Sequence, residues 1–170
     1  MIIGLGNEYL SDDGVGIRVV RALRERLPTL DAVIEELSVG GLELLTYITG
    51  CERCVIVDAV TTGTHPPGTT YRCIQKTGSD PPALTSSHQI NLAQVVSLGA
   101  MMGADLPAHL LVYGVEAEDL TTFHDGCTVS VSEAIPRIVD VICHDIKHEA
   151  QTLAKCGSEE WQIISEVFPD

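Results

Sequence analysis

The chain reads as an α/β domain of three layers, in which a twisted, mostly parallel five-stranded sheet lies between helices. Three observations predict it. The opening sixteen residues, MIIGLGNEYLSDDGVG, pass from an apolar run through glycines and an acidic turn into a helical pattern. CVIVDA, from Cys54 to Ala59, is almost continuously apolar, as strands covered on both faces must be. Short apolar runs alternate with segments of helical period along most of the chain, which is the pattern of βαβ units.

Taken in order, Ile2, Ile3 and Leu5 form the first strand, and Gly4, Gly6 and Asn7 end it. A helix follows from about Gly14 to Leu27, with Val15, Val19, Ala22 and Leu23 as its apolar stripe and Pro28 as its stop. A second strand is expected at Ala32 to Leu37. Gly40-Gly41 then leads into a short helix that turns Leu42, Leu44, Leu45 and Ile48 inward and closes at Gly50. After the central run, Thr61 to Gly68 is a loop, and Thr69 to Ile74 alternates like a more exposed, antiparallel edge strand. A long loop from Lys76 to Ser87 precedes His88. From Gln89, residues Ile90, Leu92, Ala93, Val95, Val96 and Leu98 repeat at helical spacing until about Gly103. Leu110 to Val115 is the fifth strand. A last long helix follows from Val131, kinked or started by Pro136, and Trp161, Ile163, Ile164, Val167 and Phe168 suggest one more docked segment. The expectation is a single domain over residues 1–170, with 147–170 as a C-terminal extension. No repeat, low-complexity tract or linker interrupts it.

Composition narrows the partners. Ten Lys and Arg against 24 Asp and Glu give a net charge of −14. That charge repels nucleic acid phosphates and anionic membrane surfaces and favours a cation or a basic partner, although it also keeps any protein soluble. No apolar run approaches the ~20 residues of a membrane span. With no signal-type segment ahead of the first strand, the expected location is the cytoplasm. The six cysteines, Cys51, Cys54, Cys73, Cys127, Cys143 and Cys156, are then expected as free thiols.

The acidic turn decides the chemistry of the first loop. Gly4-Leu5-Gly6 hints at a dinucleotide cradle, but Tyr9 stands where a third glycine belongs, and Asp12 and Asp13 would repel a pyrophosphate. There is no P-loop lysine motif and no GxSxG elbow. Carboxylates at the carboxyl ends of parallel strands suit a cation instead. Asp13 follows the first strand, Asp58 ends the buried third, and His88 precedes a helix, so all three can reach one side of the sheet. Two carboxylates and an imidazole fit a borderline divalent metal such as nickel or zinc, with positions left for a substrate. Taken singly, each has an ordinary explanation: Asp12 or Asp13 as helix N-caps, Asp58 as a strand-end turn residue, His88 as a loop histidine. A carboxylate inside CVIVDAV must nevertheless be paired or liganded, because burial alone is costly. The Cys51–Cys54 pair lacks a second pair for a zinc site and reads as structural. His144 and His148, one helical turn apart, read as a solvated helix face.

Five stretches, GLGN at Gly4 to Asn7, SDDGVG at Ser11 to Gly16, GGLELL at Gly40 to Leu45, VIVDAV at Val55 to Val60 and SHQINL at Ser87 to Leu92, together resemble the [NiFe]-hydrogenase maturation endopeptidases in order and spacing. The likeness runs from about Ile2 to Ile142; the tail after about Lys147 is not aligned with the family, and its role stays open. The resemblance implies a phosphorylase/hydrolase-like sheet and an endopeptidase of aspartic or metal-assisted type. It further implies removal of a short C-terminal peptide from the hydrogenase large-subunit precursor once nickel is in place. Its metal-binding and catalytic positions fall on Asp13, Asp58 and His88, with nickel presented by the precursor and Asp12 as a helix cap or supporting neighbour. The partner is that precursor and the protein is expected to act as a monomer. The rivals are a nickel- or precursor-binding chaperone that does not cut, and an aminopeptidase-like hydrolase, which would want two metals and more ligands.

Overall fold

In the computed structural model, which describes residues 1–76, 92–148 and 162–164, the strands in chain order are β1 (Ile2–Leu5), β2 (Ile34–Leu37), β3 (Cys54–Val60), β4 (Thr70–Lys76), β5 (His109–Glu116) and β6 (Gln162–Ile163). The helices are α1 (Val15–Arg26), α2 (Leu44–Ile48), α3 (Leu92–Met101) and α4 (Val129–Lys147), with 3-10 turns at Ser11–Gly14 and Gly41–Glu43. They form one sheet in the order β2-β1-β3-β5-β4-β6. The pairs β1–β2, β1–β3 and β3–β5 are parallel; β4 runs antiparallel to β5 and β6 antiparallel to β4. The expected five strands are present, extended by the two-residue β6.

Period-two alternation splits the central strands between two cores. Val57, Ala59, Tyr113 and Val115 face α1 and α4, packed with Val15, Val19, Leu23, Ile138 and Ile142. Ile3, Leu5, Ile56, Leu110 and Val112 face the other way, with Leu44, Ile48, Val95 and Val96 of α2 and α3. Because the chain leaves β1 towards β2 and later leaves β3 towards β5, the order reverses between β1 and β3. A crevice opens at such a point, outside the carboxyl ends of the two strands.

Two expectations are corrected. Leu42 is 47% exposed rather than inward, because it lies in the 3-10 turn ahead of α2. Of the two roles open to Pro136, starting the helix is excluded: it lies inside α4, which begins seven residues earlier at Val129. The strand read as more exposed is buried through Thr70, Tyr71, Arg72 and Cys73. The reason is that β6 pairs along its outer edge and Asp145 of α4 neutralises Arg72 across 2.8 Å, which lets a charged residue sit inside. Ile163 and Ile164 do belong to a docked segment: Ile163 pairs with Tyr71 and Ile164 joins the α1/α4 core. Trp161, Val167 and Phe168 lie outside the described residues.

Among the described residues no helix is long and apolar enough to cross a membrane. Among the described residues Cys51, Cys54, Cys127 and Cys143 are free thiols; Cys156 lies outside them. Burial pushes the Cys54 thiol up to about 12, so this half of the Cys51–Cys54 pair is a core residue rather than a reactive one.

Candidate active site

Asp13 is placed by glycines. The 3-10 turn Ser11–Gly14 folds back over the end of β1, where Gly6, at φ 138°, has no Cβ to collide with the Asp13 carbonyl. One turn further on, Gly16 rests against the carbonyls of Leu5 and Val57, where any side chain would clash. Val57 is the residue before Asp58, so this contact brings the start of α1 down onto the two strands that bear the site. The turn carries one strained residue, Ser11 at φ 49°, whose N–H donates to the His124 carbonyl at 3.1 Å.

The adjacent carboxylates then part company. Asp12 is fully buried and accepts four hydrogen bonds: from the N–H groups of Glu118 (2.9 Å), Asp119 (3.0 Å) and Thr128 (2.7 Å), and from the Thr128 hydroxyl (3.0 Å). It fastens the loop between β5 and α4 to the acidic turn. Neither Asp12 nor Asp13 caps α1, whose N-cap is Gly14 with no side-chain bond. Asp13, 6% exposed, takes one hydrogen bond among the described residues, from the Asn7 N–H to Oδ2 at 2.7 Å. A carboxylate has about four acceptor sites, so most of Asp13's capacity is uncommitted among the described residues.

Asp58 lies near the end of β3, 6% exposed, in register with Gly114 of β5, which is in turn opposite Tyr71 of β4. In-register residues share a face, so Asp58 projects to the α2/α3 side, and Gly114 leaves the place between Asp58 and Tyr71 without a side chain. His88 lies outside the described residues, as does most of the segment leading into α3.

Sequence reading missed a fourth buried carboxylate at the same end of the sheet. Glu116, 3% exposed, accepts from the Thr62 N–H (2.8 Å) and hydroxyl (2.7 Å), the Gly63 N–H (2.9 Å) and the Tyr71 hydroxyl (2.8 Å). Burial raises its pKa, and the bonds from Thr62, Gly63 and Tyr71 outweigh that and hold it below the usual carboxylate range. Burial likewise pushes the Tyr71 hydroxyl up, keeping it a proton donor. Glu116 fixes the Thr61–Gly68 loop as a wall. The signal was present in the closing Glu of VYGVE, the residue after the expected strand end. The His144 and His148 rings are 4.6 Å apart on α4, but no cluster of three or more metal-ligating side chains is found among the described residues.

The fold is shared with known proteins. The hydrogenase maturation protease family model matches residues 17–145. The hydrogenase 2 maturation protease of Escherichia coli K12 is 33% identical over 139 residues, 79% of this chain and 82% of that protein. The hydrogenase expression/formation protein HupD of Thiocapsa roseopersicina is 31% identical over 147 residues, covering 83% of this chain and 64% of its relative. Among solved structures, the hydrogenase maturating endopeptidase HybD from E. coli superposes with a TM-score of 0.70 at 28% identity, over 87% of this chain and 91% of that one. The match over most of the chain and these likenesses show that the chain belongs to the hydrogenase maturation protease family.

Proposed function

We propose that the protein removes the C-terminal extension of a nickel-loaded [NiFe]-hydrogenase large-subunit precursor, using Asp13, Asp58 and His88. One observation carries the reading: at the switch point of the sheet, Asp13 is buried yet spends a single hydrogen bond among the described residues, while its neighbour Asp12 spends four. A buried carboxylate held in this way suits a cation brought by a partner. Nickel seated in the precursor is bound by the two carboxylates and the His88 imidazole, and this fixes the scissile peptide bond beside them. A carboxylate oxygen takes a proton from water as the water oxygen attacks the scissile carbonyl. The C–N bond then breaks and the proton passes to the departing amine. The products are a subunit with a new C-terminal carboxylate and a short peptide with a free amine. The reaction takes place in the cytoplasm, where the precursor is assembled, and the enzyme works as a monomer.

The test is electrophoretic. Nickel-loaded precursor is incubated with wild type, Asp13→Asn, Asp58→Asn and His88→Ala, each checked for folding, alongside nickel-free precursor. Wild type shortens only the nickel-loaded substrate, and each variant slows it by about a hundredfold or more. Normal processing by all three variants overturns the assignment; tight precursor binding by wild type without a change in mass makes the protein a chaperone.

A further inference from the structure

Two of the chain's few aromatic side chains stand in solvent at one place. Tyr9 is 59% and Phe123 81% exposed, in a chain with two Phe, four Tyr and one Trp. The backbone brings them together around the Leu10–His124 bridge, with His124 N–H donating to the Tyr9 carbonyl at 3.1 Å and Ser11 N–H to the His124 carbonyl. Single exposed apolar residues are ordinary. This pair is held in place. Asp12 clamps the loop that carries Phe123, and Arg18 pairs with Asp125 at 2.8 Å. The ordering cost of a docking surface has therefore been met before any partner arrives.

The position also matters. Tyr9 N–H donates to Asn7 Oδ1 at 3.1 Å, and Asn7 N–H is the group that holds Asp13. The surroundings are acidic. Arg21 pairs with Glu8 and Arg18 with Asp125, while Glu118 and Asp119 have no basic partner among the described residues. Hydrogen bonds from Thr122 and Thr121 hold Asp119 ionised well below the ordinary carboxylate range.

We propose that Tyr9 and Phe123 form an aromatic lip that docks a basic segment of the hydrogenase precursor beside the Asp13 cleft. The proposal rests on the function given above and names the surface that presents the precursor to it. Aromatic faces attract Arg and Lys side chains, and the carboxylates around this pair add attraction of the same sign. A second copy of this chain is disfavoured, since two chains of charge −14 repel. A nucleic acid would set its phosphates against Glu118 and Asp119.

The experiment is steady-state processing of full-length nickel-loaded precursor, with direct titration of precursor binding in parallel. The Tyr9→Ala/Phe123→Ala variant is expected to melt like wild type, keep kcat within about twofold, and raise KM and the precursor Kd about tenfold. Tyr9→Phe/Phe123→Tyr retains wild-type values. Tyr9→Leu/Phe123→Leu keeps apolar bulk but loses the ring faces, and still weakens KM several-fold. Raising salt weakens wild type more than the alanine variant. An unchanged KM in the alanine variant, a loss in kcat alone, or full rescue by leucine overturns the lip. Should wild type bind the precursor without shortening it, cleavage falls, while the Kd of the alanine variant still decides the lip.

Discussion

Two regions of this molecule bury carboxylates, and they hold them in opposite ways. On the α4 flank, Asp145 is 1% exposed, pairs with Arg72 of β4 at 2.8 Å and accepts from the Tyr113 hydroxyl of β5 at 2.7 Å. At the carboxyl edge, Asp13 has one backbone donor among the described residues, and Gly6 makes room for its turn. The first arrangement spends its charge on joining a helix to two strands; the second keeps charge in reserve. Burial alone therefore does not tell the two carboxylates apart; the acceptor sites left over on Asp13 do.

The contrast is broken most severely on the α4 flank. Asp145→Ala removes the carboxylate that faces the buried Arg72 guanidinium and should cost about 3–5 kcal/mol in chemical denaturation. Replacing the pair together, Arg72→Met with Asp145→Leu, should restore most of that, because an apolar pair fills the same space without desolvating two charges. If the double variant is as unstable as the single, the ion pair does more than join α4 to the sheet.

The adjacent aspartates give the sharper version. Asp12→Ala leaves the N–H groups of Glu118, Asp119 and Thr128 without their acceptor and should cost about 3 kcal/mol, measured by urea unfolding. Asp13→Asn keeps the shape and one acceptor oxygen for the Asn7 N–H, so it should change stability by less than about 1 kcal/mol while abolishing processing. Equal stability losses would make Asp13 a structural residue like its neighbour.

Between these lies Gly16→Ala. The added methyl meets the Leu5 and Val57 carbonyls, and backbone cannot move aside as a flexible side chain can. A loss of about 2 kcal/mol in thermal unfolding is expected, with a larger fall in processing than in stability, since lifting α1 separates Asp13 from the β3 end.

The same contrast explains what could be read without coordinates. Strands β1, β3 and β5 were legible because burial on both faces writes itself as an apolar run, and Asp58 stood out as the one charge inside such a run. Asp13 was singled out by the acidic turn that carries it, and it lies buried in that turn over the end of β1. β4 was misread because its buried polar residue, Arg72, is neutralised by Asp145, which lies 73 positions away in sequence. Leu42 was misplaced because a 3-10 turn breaks the 3.6-residue period on which its inward position depended. The Asp12 clamp joins residues 106 to 116 positions apart, and no local pattern announces such a bond.

The smallest expected effect concerns Glu116, which belongs by position to the site and by bonding to the scaffold. Its folded pKa lies below the ordinary value of 4.5, because the donors from Thr62, Gly63 and Tyr71 outweigh burial. A depressed carboxylate contributes stability that is present above pH 4.5 and is lost as pH falls through its folded value, since the unfolded chain then binds the proton more readily. Wild type should accordingly lose stability on acidification below about pH 4.5, and Glu116→Gln, which cannot titrate, should flatten that part of the profile. At pH 7 the variant should be weaker by about 1–2 kcal/mol, because an amide is a poorer acceptor and turns its NH2 towards donors. Thermal melts of both proteins between pH 3 and 7 measure the two effects together. Parallel acid limbs would mean that Glu116 is not the charge that holds the Thr61–Gly68 wall. In that case the wall would depend on the backbone bond from Gly68 N–H to the Glu116 carbonyl at 2.8 Å, which the substitution leaves intact.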